Sequence, residues 1–254
     1  MGRIVAEASH RRDGTTPDHA AIVASWRHCR MPGDATMPST PLSSGPRAVA
    51  ALVAALALSA LVLQYVLILQ LTRDNVGMAL GTVRFFSYFT ILSNIAVALV
   101  AFTAAAGRTG FLAQARVRGA VALYIGVTGS IYFFILRHLW QPQGAQWWAD
   151  TGLHYAVPLA YWAWWLAFAP HGGLRWRHVA GWLLFPLAYV AWVFVRGAWL
   201  GEYPYPFIDV GQLGWSQVGL NALGVMAVFV VMGFVIVGVD RIFGRRRASS
   251  VGAT

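Results

Sequence analysis

The chain has 254 residues, of which 58% are hydrophobic and only 11% charged, with 12 Trp. That balance excludes an ordinary soluble domain, and several apolar windows reach the roughly 20 residues needed to cross a bilayer core. A net charge of +10 and a pI near 10.6 would suit a nucleic-acid binder, but the basic residues are distributed as membrane topology requires, so no nucleic-acid role is expected.

Residues 1–46 are rich in Arg, Pro, Ser, Thr and Asp and lack a sustained apolar period, so a disordered tail is expected. An apolar core begins only near Ala48, so no secretory signal is expected. Met31 and Met37 are alternative starts. Cys29 is the single cysteine, so neither a disulfide framework nor a cysteine-based metal site can form within one chain.

Six apolar spans follow, at 48–71, 85–106, 120–140, 151–169, 179–200 and 215–239. The expected fold is all-α, a bundle of six transmembrane helices over residues 47–240, with a short basic tail at 241–254. Hydrocarbon offers no partner to main-chain N–H or C=O groups, so each span must satisfy its own as a helix. The continuous runs do not alternate as barrel strands would.

Arginine sets the orientation, since all 19 basic residues are Arg. Six lie in the N-terminal tail, and Arg108, Arg116, Arg118, Arg175, Arg177, Arg241, Arg245, Arg246 and Arg247 fall on the same side. Arg73, Arg84, Arg137 and Arg196 fall on the other, near Asp74, Asp150, Glu202 and Asp209. The positive-inside rule then places both termini in the cytoplasm, with anionic headgroups as partners of that face. Arg-only usage with abundant Ala, Gly and Val is associated with GC-rich bacterial genomes, so a bacterial inner membrane is the expected location. No internal repeat or matched pair of broken spans points to a secondary transporter.

With that topology, the intramembrane polarity collects in the outer leaflet. The stretch RFFSYFTILSN (84–94) opens span two with Ser87, Thr90 and Asn94 at i, i+3 and i+7, one helical face. Ser93 is expected to be a packing residue. His154, Pro158 and Tyr161 form a stripe on span four, and Gln217, Asn221 and Gly224 another on span six. The loop GEYPYPFIDVG (201–211) lies on the same side. An ionisable group inside a span is a functional candidate, and a hydroxyl level with an imidazole can act as nucleophile and base. Thr90 can equally bond its own carbonyl one turn back, and His154 can be a structural partner of a facing hydroxyl. Asn94, Tyr161, Asn221, Tyr205 and Asp209 are the candidate pocket or oxyanion groups. No G-x-S-x-G, H-E-x-x-H or P-loop motif occurs, and no cofactor or metal is expected.

FFSYFTILSN in span two, LHYAVPLAYWAWWLAF in span four and RGAWLGEYPYPFIDV after span five resemble a bacterial family of six-span membrane proteins. That family is similar to the eukaryotic androgen-induced integral membrane proteins, which include hydrolases of fatty-acid esters of hydroxy fatty acids. The resemblance covers about residues 48–239. It implies a catalytic Thr at Thr90 and a catalytic His at His154, the latter followed by Val157-Pro158, and it matches a late-loop Tyr-Pro at Tyr205-Pro206. The function it implies is a threonine-dependent hydrolase of lipid esters. The alternative is a non-catalytic membrane protein that binds a lipid or passes a small solute.

Overall fold

The computed structural model describes residues 43–251, with side chains through 246. The expectations for the tail, Cys29 and the alternative starts Met31 and Met37 lie outside the described residues. Among the described residues the ordered elements are helices: α1 (Ser44–Thr72), α2 (Met78–Phe86), α3 (Phe89–Ala105), α4 (Ala115–Phe134), α5 (Ala145–Thr151), α6 (Val157–Phe168), α7 (Arg177–Trp182), α8 (Leu184–Leu200) and α9 (Val210–Val251). A π turn, Gly152–Ala156, joins α5 to α6 without a loop. Four of the helical segments are long and apolar enough to cross a membrane, five if the bent pair α2–α3 counts as one span. This fits an integral membrane protein of several crossings.

Small residues set the packing. Ala50, Val53 and Ala57 of α1 and Val97, Val100, Ala101 and Ala104 of α3 are buried together in the main core, where short side chains let backbones approach closely. Ala60 of α1 meets the π turn at Gly152, where an added Cβ would stand 2.9 Å from the Ala60 Cβ. Leu52, Leu58, Leu187, Leu220, Leu223 and Val231 point outward and stay exposed, as expected of surfaces that meet lipid.

Three of the expected spans are altered: span four is divided among α5, the π turn and α6 and is not among the helices long and apolar enough to cross by themselves. Span two is not one straight helix: α2 and α3 meet at a 73° bend. Ser87 closes α2, and Tyr88 is extended (φ −91, ψ 128) before α3 starts. Ser87 therefore does not share a helical face with Thr90 and Asn94; its hydroxyl bonds the Val83 carbonyl. At the other end of the chain, α9 runs past the expected boundary near 239 to Val251, so the basic segment continues the last helix. That helix contains a kink at Gly214 (φ 73, ψ 161), a conformation open to glycine.

Candidate active site

A bent span exposes main-chain groups that hydrocarbon cannot satisfy, and two tyrosines answer them. The Tyr189 hydroxyl donates to the Ser87 carbonyl at 2.9 Å. The free N–H of Thr90 in the first turn of α3 donates to the Tyr205 hydroxyl at 3.3 Å. Tyr205 comes from the loop at 201–209, which is tied down by charge. Glu202 accepts from the Arg84 guanidinium through both oxygens and from Arg196 at 3.2 Å, while Arg196 also donates to the Glu202 carbonyl. The hydrogen bond from Arg84, reinforced by the charges of Arg84 and Arg196, holds the Glu202 carboxyl below its usual range. Burial pushes the Tyr205 phenol upward, which keeps it a neutral hydroxyl.

The bend thereby turns Thr90 toward the π turn between α5 and α6. Its Oγ1 lies 3.3 Å from His154 Nε2 and 3.5 Å from the Tyr205 hydroxyl. His154 sits in the π turn. Its Nδ1 lies 3.1 Å from the Asp150 carbonyl oxygen and 3.2 Å from the Asp150 carboxylate Oδ1. Both neighbours of Nδ1 are acceptors, so the ring proton belongs there and Nε2 keeps its lone pair for the Thr90 hydroxyl. Tyr132, near the end of α4, stacks on the imidazole at a centroid distance of 3.8 Å and 13° between planes, and donates its hydroxyl to Asp150 Oδ2.

Asn94 serves this arrangement differently from the expected oxyanion role. Its amide hydrogens go to the Thr90 carbonyl at 2.8 Å and the Leu153 carbonyl at 3.2 Å. The second bond has a local cause. The Val157 N–H bonds Gly152, and the next residue, Pro158, has no N–H to send back into the turn. Asn94 supplies the missing donor and fastens α3 to the turn that carries His154. Ser93 adds a second fastening, with its hydroxyl 2.9 Å from that of Thr128 on α4.

An apolar cavity, with ≈ 680 Å³ of empty space including its opening, extends from Thr90 and Tyr205 between α3, α4, α8 and α9. Val127, Ile131, Val190, Val225, Met226 and Phe229 form much of its wall, and Phe207 and Ile208 of the loop contribute as well. The other lining hydroxyls are already committed: Thr128 to the Tyr124 carbonyl and Tyr189 to Ser87. Thr90 and Tyr205 thus form the polar end of an otherwise greasy chamber.

The remaining candidates lie elsewhere. Tyr161, fully buried, donates to the Arg118 carbonyl at 3.0 Å, at the far end of α4 from Tyr132, so the stripe of His154, Pro158 and Tyr161 is not one pocket wall. Asn221 donates to the Phe207 carbonyl and accepts from Gln217, which anchors the loop. Asp209 accepts from the N–H and side-chain amide of Gln212 and caps α9. Sequence reasoning missed Asp150, taken only as a charge balancing outer arginines, and Tyr132. The i, i+4 spacing of Asp150 and His154 was a signal that could have found the first. Among the described residues, no group of three His, Cys, Asp or Glu could hold a metal ion. Compared with family models, curated proteins and solved structures, the chain matches none.

Proposed function

We propose that this chain is a threonine-dependent hydrolase of lipid esters in a bacterial inner membrane, crossing it six times with both termini in the cytoplasm. The observation that carries the reading is the Thr90 hydroxyl 3.3 Å from the free nitrogen of His154, at the polar end of an apolar cavity. The resemblance of FFSYFTILSN and LHYAVP to the androgen-induced family supports the same pair. The arginines of the tails and of the 106–118 and 169–177 connections support the orientation, with anionic lipid headgroups as partners of that face.

The chemistry follows from the geometry. An ester with an alkyl chain in the cavity presents its carbonyl to Thr90. His154 Nε2 removes the Thr90 proton as Oγ1 attacks. The Tyr205 hydroxyl, beside Oγ1, donates to the oxyanion as it forms. His154 then protonates the departing alkoxide, and water, deprotonated by the same nitrogen, releases the acid from Thr90. An isolated hydroxyl is a poor nucleophile at its ordinary pKa, so the base is essential.

The test is labelling of the purified protein with a serine/threonine-directed fluorophosphonate. Wild type and Thr90→Ser should label, and Thr90→Ala and His154→Ala should not. Equal labelling of all four, or labelling of none, would remove the hydrolase reading. The apolar cavity favours one alternative, a non-catalytic lipid-binding protein, in which Thr90→Ala would retain bound lipid and no variant would turn over an ester.

A further inference from the structure

The proposed reaction requires His154 in one tautomer and one orientation, and a group to balance the charge the ring acquires. We propose that Asp150 is the positioning residue for both tasks, with Tyr132 as the clamp on its carboxylate. This inference rests on the Thr90–His154 reading above.

Asp150 is 4% exposed, and a carboxylate is not buried without a partner at so little exposure unless something compensates it. Its Oδ2 receives the Tyr132 hydroxyl. Among the described residues its Oδ1 has no hydrogen-bond donor, yet it lies 3.2 Å from His154 Nδ1. The neutral ring sends its N–H toward the Asp150 main-chain carbonyl, and the carboxylate stands beside that bond. When Thr90 transfers its proton to Nε2, the ring becomes a cation with this carboxylate adjacent. The proton leaves on the departing alkoxide.

The backbone and the packing both serve this placement. A π turn adds a residue to one turn of helix, and such turns recur at functional sites. Here it spans Gly152–Ala156 and carries His154 one turn beyond Asp150. Tyr132 arrives from α4, so the clamp exists only in the folded bundle. Its ring covers one face of the imidazole, which leaves the in-plane nitrogens free for Asp150 and Thr90.

A competing arrangement needs no carboxylate: the Asp150 carbonyl alone orients the ring, and the side chain merely bonds Tyr132. The two predict opposite results for Asp150→Asn, which keeps the carbonyl and removes the charge. With full-length protein in nanodiscs, the fluorophosphonate labelling rate and the turnover of a long-chain p-nitrophenyl ester would be measured. Loss of the corresponding aspartate in a serine triad lowers kcat about 10⁴-fold. Because the carbonyl remains here, Asp150→Asn should lower kcat on the order of 10²-fold with little change in KM. Asp150→Glu should recover part of the loss, and Tyr132→Phe should show a smaller fall of the same kind. Asp240, a buried acid that accepts from the Gly172 and Leu174 N–H groups beyond the other end of α6, supplies the control: Asp240→Asn should leave kcat unchanged.

Asp150→Asn with wild-type kcat would overturn the proposal and leave the hydrolase reading intact. So would a loss that Asp150→Glu fails to lessen and that follows thermal stability. Wild type that neither labels nor turns over would remove both. If Asp150→Asn does not fold, Tyr132→Phe decides by the same separation of kcat from KM.

Discussion

Replacing Asn94 by Leu tests whether one buried amide sets the distance between Thr90 and His154. The side chain is fully buried and donates twice, to Thr90 and Leu153. The Thr90 carbonyl keeps the Ser93 hydroxyl at 3.0 Å, so only Leu153 is left without a side-chain donor. An orphaned buried carbonyl costs about 1–3 kcal/mol. Against this, Asn94 Oδ1 is itself buried without a partner among the described residues, and its removal returns about 1 kcal/mol of the same kind. The net loss is at most about 2 kcal/mol, which for a chain of this size lowers the apparent Tm by up to roughly 8 °C. Loosening the π turn also moves His154, and a misplacement near 1 Å slows reaction on the order of 10²-fold. Thermal unfolding in detergent and the fluorophosphonate rate would be read on the same preparation. An unchanged Tm together with an unchanged rate would mean that the amide holds nothing in place.

Glu202 gives a pH dependence of known sign. Its carboxyl is depressed below the ordinary value of 4.5 by the hydrogen bond from Arg84, so its stabilisation is present above that value and lost as pH falls through the lower folded-state pKa. Hydrogen exchange at 201–209, corrected for intrinsic rate, should rise on acidification below about 4.5 in wild type. In Glu202→Gln it should be faster at neutral pH and lose this step. Gly197→Ala should destabilise by about 1–3 kcal/mol of overpacking, because the new Cβ would overlap the Tyr203 ring. Gly219→Ala, with nothing within 4 Å of its new Cβ, should not, and thermal unfolding of both variants makes the comparison. Equal Tm values would show that Tyr203 yields freely.

Apolar run length was enough to locate α1, α4, α8 and the start of α9, because a membrane crossing is dictated by main-chain hydrogen bonding; it did not show that α9 runs on through the basic segment to Val251. Helical spacing likewise brought Thr90 and Asn94 onto one face, i and i+4. It failed at Ser87, since a bend resets the phase of the helix and no periodicity survives it. The signal for that bend was itself tertiary: Tyr189 and Tyr205 make an interrupted main chain tolerable, and they stand more than 100 residues away. Tyr161 and Asn221 had the right spacing along their own helices, but which turn of a helix meets the cavity depends on how its neighbours pack.

Asp150 shows the division most clearly. Read along the chain, a carboxylate at the start of an apolar span belongs to the water interface, and that is where its charge was assigned. Folding covers it with Tyr132 and presses it against His154. Sequence therefore determined that this protein is a bundle of membrane helices with a hydroxyl and an imidazole near one end. Only the tertiary structure decided that they face each other, since the bend, the π turn and the loop at 201–209 all depend on partners distant in the chain.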